Sequence, residues 1–182
     1  LPEATAIIVG VGGIGGEAAR LCAEFGMRVI GVDPRLDQAP PGVAELVRPG
    51  DLASALPQGD FVIVTVPETP ETQGLFAATQ FKAMKNTAFF INIGRGATVK
   101  LDDLVDALRA GEIAGAGLDV FQTEPLPAGH ALWSIPGVLI TPHVAGDGPY
   151  LQERRTDLFI DNCVRFNEGR PLRNVVDKAN WF

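Results

Sequence analysis

Arg95, Glu124 and His143 are the side chains here best suited to chemistry on a small polar substrate, and each follows a short apolar run. Arg95 comes after Phe89 to Ile93, between two glycines. Glu124 comes after Ile113 to Leu118, which also leads into Asp119. His143 comes after Val138 to Thr141, behind Pro142. Arginine offers a fork of donors to a carboxylate or a polarised carbonyl oxygen. A carboxylate beside a histidine favours the ring's charged form, so the imidazole can hold or release a proton near neutrality. Next to a bound hydride carrier, such a trio suits proton transfer coupled to hydride transfer at a carbinol carbon.

A carrier site stands earlier in the chain. Gly10, Gly12 and Gly15 form G-x-G-x-x-G between an apolar run, Ala6 to Val9, and a helix-like stretch. In that setting the first glycine permits a tight turn. The second lets backbone approach a pyrophosphate, and the third lets helix and strand pack closely. The helix start then presents unpaired N–H groups to the phosphates. Asp33 lies at the end of the next apolar run, where an acid can accept hydrogen bonds from both ribose hydroxyls and repel a 2′-phosphate. NAD is therefore expected over NADP, with nearby Arg35 as the feature that weakens the preference. His130, in a Pro- and Gly-rich loop before Leu132-Trp133, is expected to have a loop or packing role.

These residues need a scaffold that brings strand ends together. Strands are expected at Ala6–Val9, Arg28–Val32, Phe61–Val66, Ala88–Ile93, Ile113–Val120 and Val138–Thr141. A helical pattern with Ile14, Ala18, Leu21, Cys22 and Phe25 follows the first. A short element covers Asp51 to Leu56, and helices are expected at Gln80–Lys85, Leu101–Ala110 and from about Tyr150 to Asn167. Gly26, Gly111 and Gly169 stand where helices should stop. Alternating strands and helices imply an α/β fold with a doubly wound parallel sheet, and nearly continuous apolar strands imply cover on both faces. Ligands of such sheets bind beyond the carboxyl ends of the strands, where the trio and Asp33 fall.

Composition sets the outer bounds. The chain has 182 residues, 46% hydrophobic and 20% charged, which suits one globular domain with an appendage. It begins Leu1-Pro2, as a piece of something longer would. With 22 acidic and 15 basic residues, a net charge of −7 and no basic run, neither nucleic acid nor an anionic membrane is an expected partner. No apolar run approaches a membrane span, and no secretory pattern opens the chain. Cys22 and Cys163 match neither a disulfide framework nor a zinc site, so two buried thiols in a reducing cytoplasm are expected, and no metal.

The segments quoted so far, and some others, resemble the D-isomer-specific 2-hydroxyacid dehydrogenases nearly end to end. Ile8 to Gly15 resembles that family's nucleotide turn, and Pro67-Glu68-Thr69-Pro70-Glu71-Thr72 its P-x-T-P-E-T segment. Ile91-Asn92-Ile93-Gly94-Arg95-Gly96 resembles the stretch carrying the substrate arginine. Gly117 to Phe121 with Glu124-Pro125-Leu126 resembles the segment with the nicotinamide-contacting Asp and catalytic Glu. Thr141-Pro142-His143-Val144-Ala145-Gly146 resembles the catalytic His motif, and Pro171 to Val176 the usual ending.

The resemblance implies roles. Arg95 would bind the substrate's carboxylate and keto oxygen, His143 would be the acid–base, and Glu124 would orient it. Asp119 would hold the nicotinamide carboxamide. Gly13, Ile14, Ile93 and Gly94 would offer backbone contacts to NAD, and Val66, Pro67, Thr72, Ala145 and Gly146 would line its site. Glu124 stands where formate-oxidising members usually carry Gln, which disfavours formate. Two departures are visible: Gly13 replaces a common basic or polar residue, and Thr65 stands where many members have His or Ala.

The resemblance also implies a two-domain enzyme acting on a small D-2-hydroxy or 2-keto acid, with a homodimeric cytoplasmic form. Residues 1–182 would be its dinucleotide-binding domain, lacking most of the substrate domain, to which residues 149–182 would return. A non-enzymatic, NAD-sensing dimeric protein of co-repressor type is the alternative within the family. A domain binding another nucleotide-bearing ligand explains the glycines but not the trio.

Overall fold

Every residue from Ala6 to Val9 is buried, because β1 (Thr5–Val9) is covered on both sides. Ile7 and Val9 point into one apolar cluster with Ile30, Val32, Val62 and Val64. Ala6 and Ile8 point into another, with Val29 and Ala19 of the first helix. This double burial is why the strands read as continuous apolar runs rather than alternating ones. The computed structural model describes residues 1–178.

Seven parallel strands form one sheet in the order β3-β2-β1-β4-β5-β6-β7. They are β1, β2 (Arg28–Val32), β3 (Glu45–Val47), β4 (Phe61–Val64), β5 (Phe89–Asn92), β6 (Gly115–Leu118) and β7 (Val138–Ile140). The helices are α1 (Gly13–Glu24), α2 (Leu52–Ala55), α3 (Ala78–Ala83), α4 (Leu101–Ala110) and α5 (Leu151–Asn167). The doubly wound parallel α/β sheet expected from the sequence is thus present. The order reverses between β1 and β4, and such a reversal opens a crevice at the carboxyl ends of the strands. Phe76, Phe81 and Phe90 pack ring to ring beneath it, with centroids 4.9 to 6.1 Å apart.

Four details differ from the sequence reading. The edge strand β3 went unread, since it has three half-buried residues and opens on Glu45, which pairs with Arg28. β4 stops at Val64, because its partner β1 ends there at Val9 and Thr65-Val66 turn toward the glycine loop. In α1 the core side is Gly15 and Ala19, while Ile14, Leu21 and Phe25 face outward. Small residues let this helix lie close against the sheet. Cys163 is exposed rather than buried, because no residue of α5 is buried, whereas Cys22 is half-buried.

The chain divides into two units, Leu1–His143 and a second beginning at Val144. The second holds α5 and a tail fastened to it by reciprocal hydrogen bonds. Arg173 N–H donates to Asn162 Oδ1 (2.8 Å) and Asn162 Nδ2 donates to the Arg173 carbonyl (3.0 Å). The end of the expected returning tail, residues 179–182, lies outside the described residues. Among the described residues no helix is long and apolar enough to cross a membrane, and no group of metal ligands occurs.

Candidate active site

The glycine turn is built by contact. Gly10 has φ +92°, a left-handed conformation that glycine adopts without penalty. A Cβ on Gly15 would fall 1.9 Å from the Gly10 carbonyl oxygen, so only glycine lets α1 start so close to β1. Thr65 Oγ1 donates to that same carbonyl at 2.6 Å and pins the turn to the end of β4. Gly12, Gly13 and Ile14 are exposed, and a Cβ on Gly13 would meet nothing within 4 Å. The first turn of α1 thus offers N–H groups without helical partners to open space, a cradle that fits a pyrophosphate. Val66 packs between the turn and the Arg95 loop. Its Cγ1 lies 2.8 Å from where a Gly10 Cβ would be, and its carbonyl oxygen lies 2.7 Å from where a Gly94 Cβ would be. Pro67 is half-buried. The Thr72 hydroxyl turns back into its own loop, donating to the Pro67 carbonyl (2.7 Å) and accepting from Thr69 N–H (2.8 Å).

Asp33 is 1% exposed, and both its oxygens are engaged. Oδ2 accepts Val11 N–H at 2.9 Å, and Oδ1 accepts Arg35 N–H at 2.9 Å and Arg35 Nε at 3.3 Å. Burial pushes its carboxyl up, but the hydrogen bonds from Arg35 and Val11 and the guanidinium charge outweigh this and hold it below the ordinary value. Asp33, the acid expected at the ribose, is bonded by Arg35, with 43% of the arginine side chain exposed beside Gly12.

The trio is positioned by three adjacent strand ends. Beyond the sheet the ladder continues: Asp119 N–H donates to the Asn92 carbonyl (3.0 Å), and His143 N–H to the Asp119 carbonyl (2.9 Å). These rungs tie together the segments that carry Arg95, Glu124 and His143. His143 itself has φ +56°, a left-handed conformation that costs a non-glycine residue about 1–3 kcal/mol. It is held there by that N–H bond and by its ring. His143 Nδ1 lies 2.7 Å from Glu124 Oε2, while Glu124 Oε1 accepts Phe121 N–H at 2.9 Å. Burial pushes the Glu124 carboxyl up. The His143 hydrogen bond, the Phe121 N–H and the histidine's charge more than offset this and hold it below the ordinary value. An ionised carboxylate only accepts, so Nδ1 carries the proton of this hydrogen bond and Nε2 is the ring nitrogen turned away from Glu124. Thr141 Oγ1 donates to Asp119 Oδ1 at 2.6 Å, which orients that 3%-exposed carboxylate.

Arg95 is exposed, and its Nη1 donates back to the Gly94 carbonyl at 2.7 Å. A Cβ on Gly96 would overlap the Phe121 carbonyl carbon at 1.9 Å, so the Arg95 loop rests directly on the segment leading to Glu124. Ile93 and Gly94 lead into the loop along the end of β4: Ile93 N–H donates to the Val64 carbonyl at 3.1 Å, and a Gly94 Cβ would meet the Val66 carbonyl oxygen. His130 has the loop role read for it: its Nδ1 accepts Leu132 N–H at 3.3 Å at the start of a short turn. Ala145 and Gly146 belong to the second unit.

Two residues escaped the sequence reading. Asn92 (1% exposed) accepts Gly94 N–H at 3.0 Å and donates to the Arg95 carbonyl at 3.2 Å. Fully buried Thr98 donates its hydroxyl to the same carbonyl at 2.7 Å. The available signal was an asparagine at the end of an otherwise apolar strand.

Comparison with known proteins agrees with this geometry. Residues 1–145 match the family described as D-isomer specific 2-hydroxyacid dehydrogenase, NAD binding domain. A human glyoxylate reductase/hydroxypyruvate reductase is 38% identical over 175 residues, covering 94% of this chain and 52% of its own length. A glyoxylate reductase of Korarchaeum cryptofilum is 36% identical over 173 residues, covering 94% and 51%. The chain therefore spans about half the length of the curated relatives it matches. A Xanthobacter autotrophicus D-isomer specific 2-hydroxyacid dehydrogenase, in complex with NADPH and MES, superposes with TM-score 0.90 at 36% identity. That match covers all of this chain and 74% of the other. An NADPH-dependent glyoxylate/hydroxypyruvate reductase of Sinorhizobium meliloti, in complex with NADP and sulfate, gives TM-score 0.89 at 35% identity, covering 98% and 57%. These names lend nothing to the reading as a non-enzymatic sensing protein. The chain belongs to the D-isomer specific 2-hydroxyacid dehydrogenases, and it carries that family's nicotinamide-dinucleotide-binding domain.

Proposed function

We propose that the protein containing this chain reduces a small 2-keto acid, of the glyoxylate or hydroxypyruvate kind, to the D-2-hydroxy acid, and runs the reverse oxidation. The observation that carries the reading is the His143–Glu124 pair at 2.7 Å, beside Arg95 and at the same sheet edge as the glycine turn. When bound, the dinucleotide supplies a hydride donor or acceptor at its nicotinamide. The chain's own residues do the rest. Arg95 holds the substrate's carboxylate and draws charge toward its keto oxygen. His143 Nε2 gives a proton to that oxygen in reduction and takes it back in oxidation. Glu124 keeps the ring's orientation and offsets its charge. Asp119, held by Thr141, is placed for the carboxamide. The remaining substrate contacts come from outside this chain, and a homodimeric cytoplasmic enzyme is the form this reading carries.

The coenzyme choice rests on Asp33 and Arg35. Asp33 favours NAD through its charge, as the sequence argument has it. Arg35 offsets that charge and presents an exposed guanidinium beside Gly12, which suits a 2′-phosphate. The pair supports use of both coenzymes, with Asp33 the basis for NAD and Arg35 for NADP. Fluorescence titration of the chain with NADH and with NADPH tests this. Arg35→Ala is expected to weaken NADPH binding about tenfold while sparing NADH. Equal loss for both would refute the division of roles, and no saturable binding of either would refute the site.

A further inference from the structure

We infer that Asn92 and Thr98 are positioning residues for Arg95, fixing its main chain so that an otherwise exposed arginine meets its substrate from one place. The inference rests on the reading of Arg95 as the substrate's anion-binding group. The Arg95 carbonyl receives three donors: Thr98 N–H at 3.2 Å, Thr98 Oγ1 at 2.7 Å and Asn92 Nδ2 at 3.2 Å. Asn92 Nδ2 also faces Thr98 Oγ1 at 3.3 Å, and Asn92 Oδ1 accepts Gly94 N–H. The two side chains thus bracket Arg95 on both sides along the chain. At 1% and 0% exposure they are shielded from competing water. Polar groups so buried are costly unless fully bonded, and bonding makes them rigid.

Among the described residues the Arg95 side chain has no comparable restraint. It reaches solvent, and the side-chain hydrogen bond it makes there returns to the neighbouring Gly94 carbonyl. Its aim therefore depends on its backbone. The same clamp reaches the other half of the trio. The Asn92 carbonyl accepts Asp119 N–H, and Gly96 seats on Phe121, whose N–H holds Glu124. Val66, just beyond β4, stands between this loop and the glycine turn, so a shift of Arg95 itself would be felt at substrate binding before it was felt at the turn.

The test uses the whole protein, with glyoxylate as substrate and saturating coenzyme. Asn92→Asp keeps the shape and the acceptor for Gly94 but removes the donor to Arg95. Thr98→Val keeps the volume and removes the hydroxyl. In each variant KM for glyoxylate is expected to rise about three- to tenfold, the range set by one hydrogen bond. Coenzyme Kd should be unchanged, and Thr98→Ser should restore KM. Faster hydrogen exchange across residues 94–98 should accompany the rise. If KM stays at the wild-type value while only thermal stability falls, the two residues are merely structural and the inference fails. If coenzyme Kd weakens in step with KM, the effect is not specific to Arg95 and the inference also fails. A wild-type protein that reduces no keto acid would instead overturn the proposed function. In that case exchange across residues 94–98 still decides whether the clamp exists.

Discussion

His143 Nδ1 and Glu124 Oε2 stand 2.7 Å apart, although 19 residues separate them and each is fixed by a different backbone N–H contact. Glu124 stays ionised below the ordinary carboxylate range, so its charge is present throughout the neutral region. Glu124→Gln keeps the shape but removes that charge. Reduction by the whole protein is then expected to fall at least about tenfold, since the ring loses the charged partner that orients it. Steady-state kcat/KM of the two proteins reads this directly.

Gly15→Ala should abolish tight coenzyme binding. The added methyl would overlap the Gly10 carbonyl at 1.9 Å and push α1 off the turn. NADH or NADPH titration of the chain should show affinity lower by at least roughly tenfold, or about 1.4 kcal/mol.

Gly96→Ala should act differently, through stability and through the trio. Its methyl would meet backbone at Phe121, which neither loop can yield without moving. A loss of about 1–3 kcal/mol is expected, read as a drop in thermal midpoint of about 2–4 °C per kcal/mol.

Asp33 gives a pH-dependent signature. Its carboxyl is lowered in the folded chain, so the unfolded chain binds that proton more readily. The stabilisation is full above about pH 4 and disappears as pH falls through the lowered value. Urea unfolding of wild type and Asp33→Asn should show a constant gap between pH 7 and 5 that narrows below about pH 4.

Sequence and structure agree best where one cause dominates. Ile7, Ile8, Val62 and Phe90 are buried, and the apolar runs that contain them could be read as strands without further help. α4 matches its expected bounds because Asp102 and Asp103 open it and Gly111 closes it. Arg95, Glu124 and His143 could be read because each follows a strand. Their contacts could not, since the rungs joining Asn92, Asp119 and His143 depend on strands adjacent in space, not in sequence. The pairing of Asp33 with Arg35 was hidden for a related reason. The two are close in sequence, yet whether the arginine faces the ribose or covers the acid depends on how the loop after β2 folds. The spacing of Ile14, Leu21 and Phe25 marks α1 as a helix but not its packing side, because the helix packs through glycine and alanine, which carry little hydrophobic signal.

In the proposed reaction His143 moves the proton while the dinucleotide moves the hydride. Hydroxypyruvate reduction by the whole protein, wild type against His143→Ala, separates the two roles when coenzyme affinity is measured on both. The wild type should yield D-glycerate, and the variant should lose about 10²- to 10⁴-fold in kcat at unchanged coenzyme affinity. Wild-type turnover in His143→Ala would contradict it.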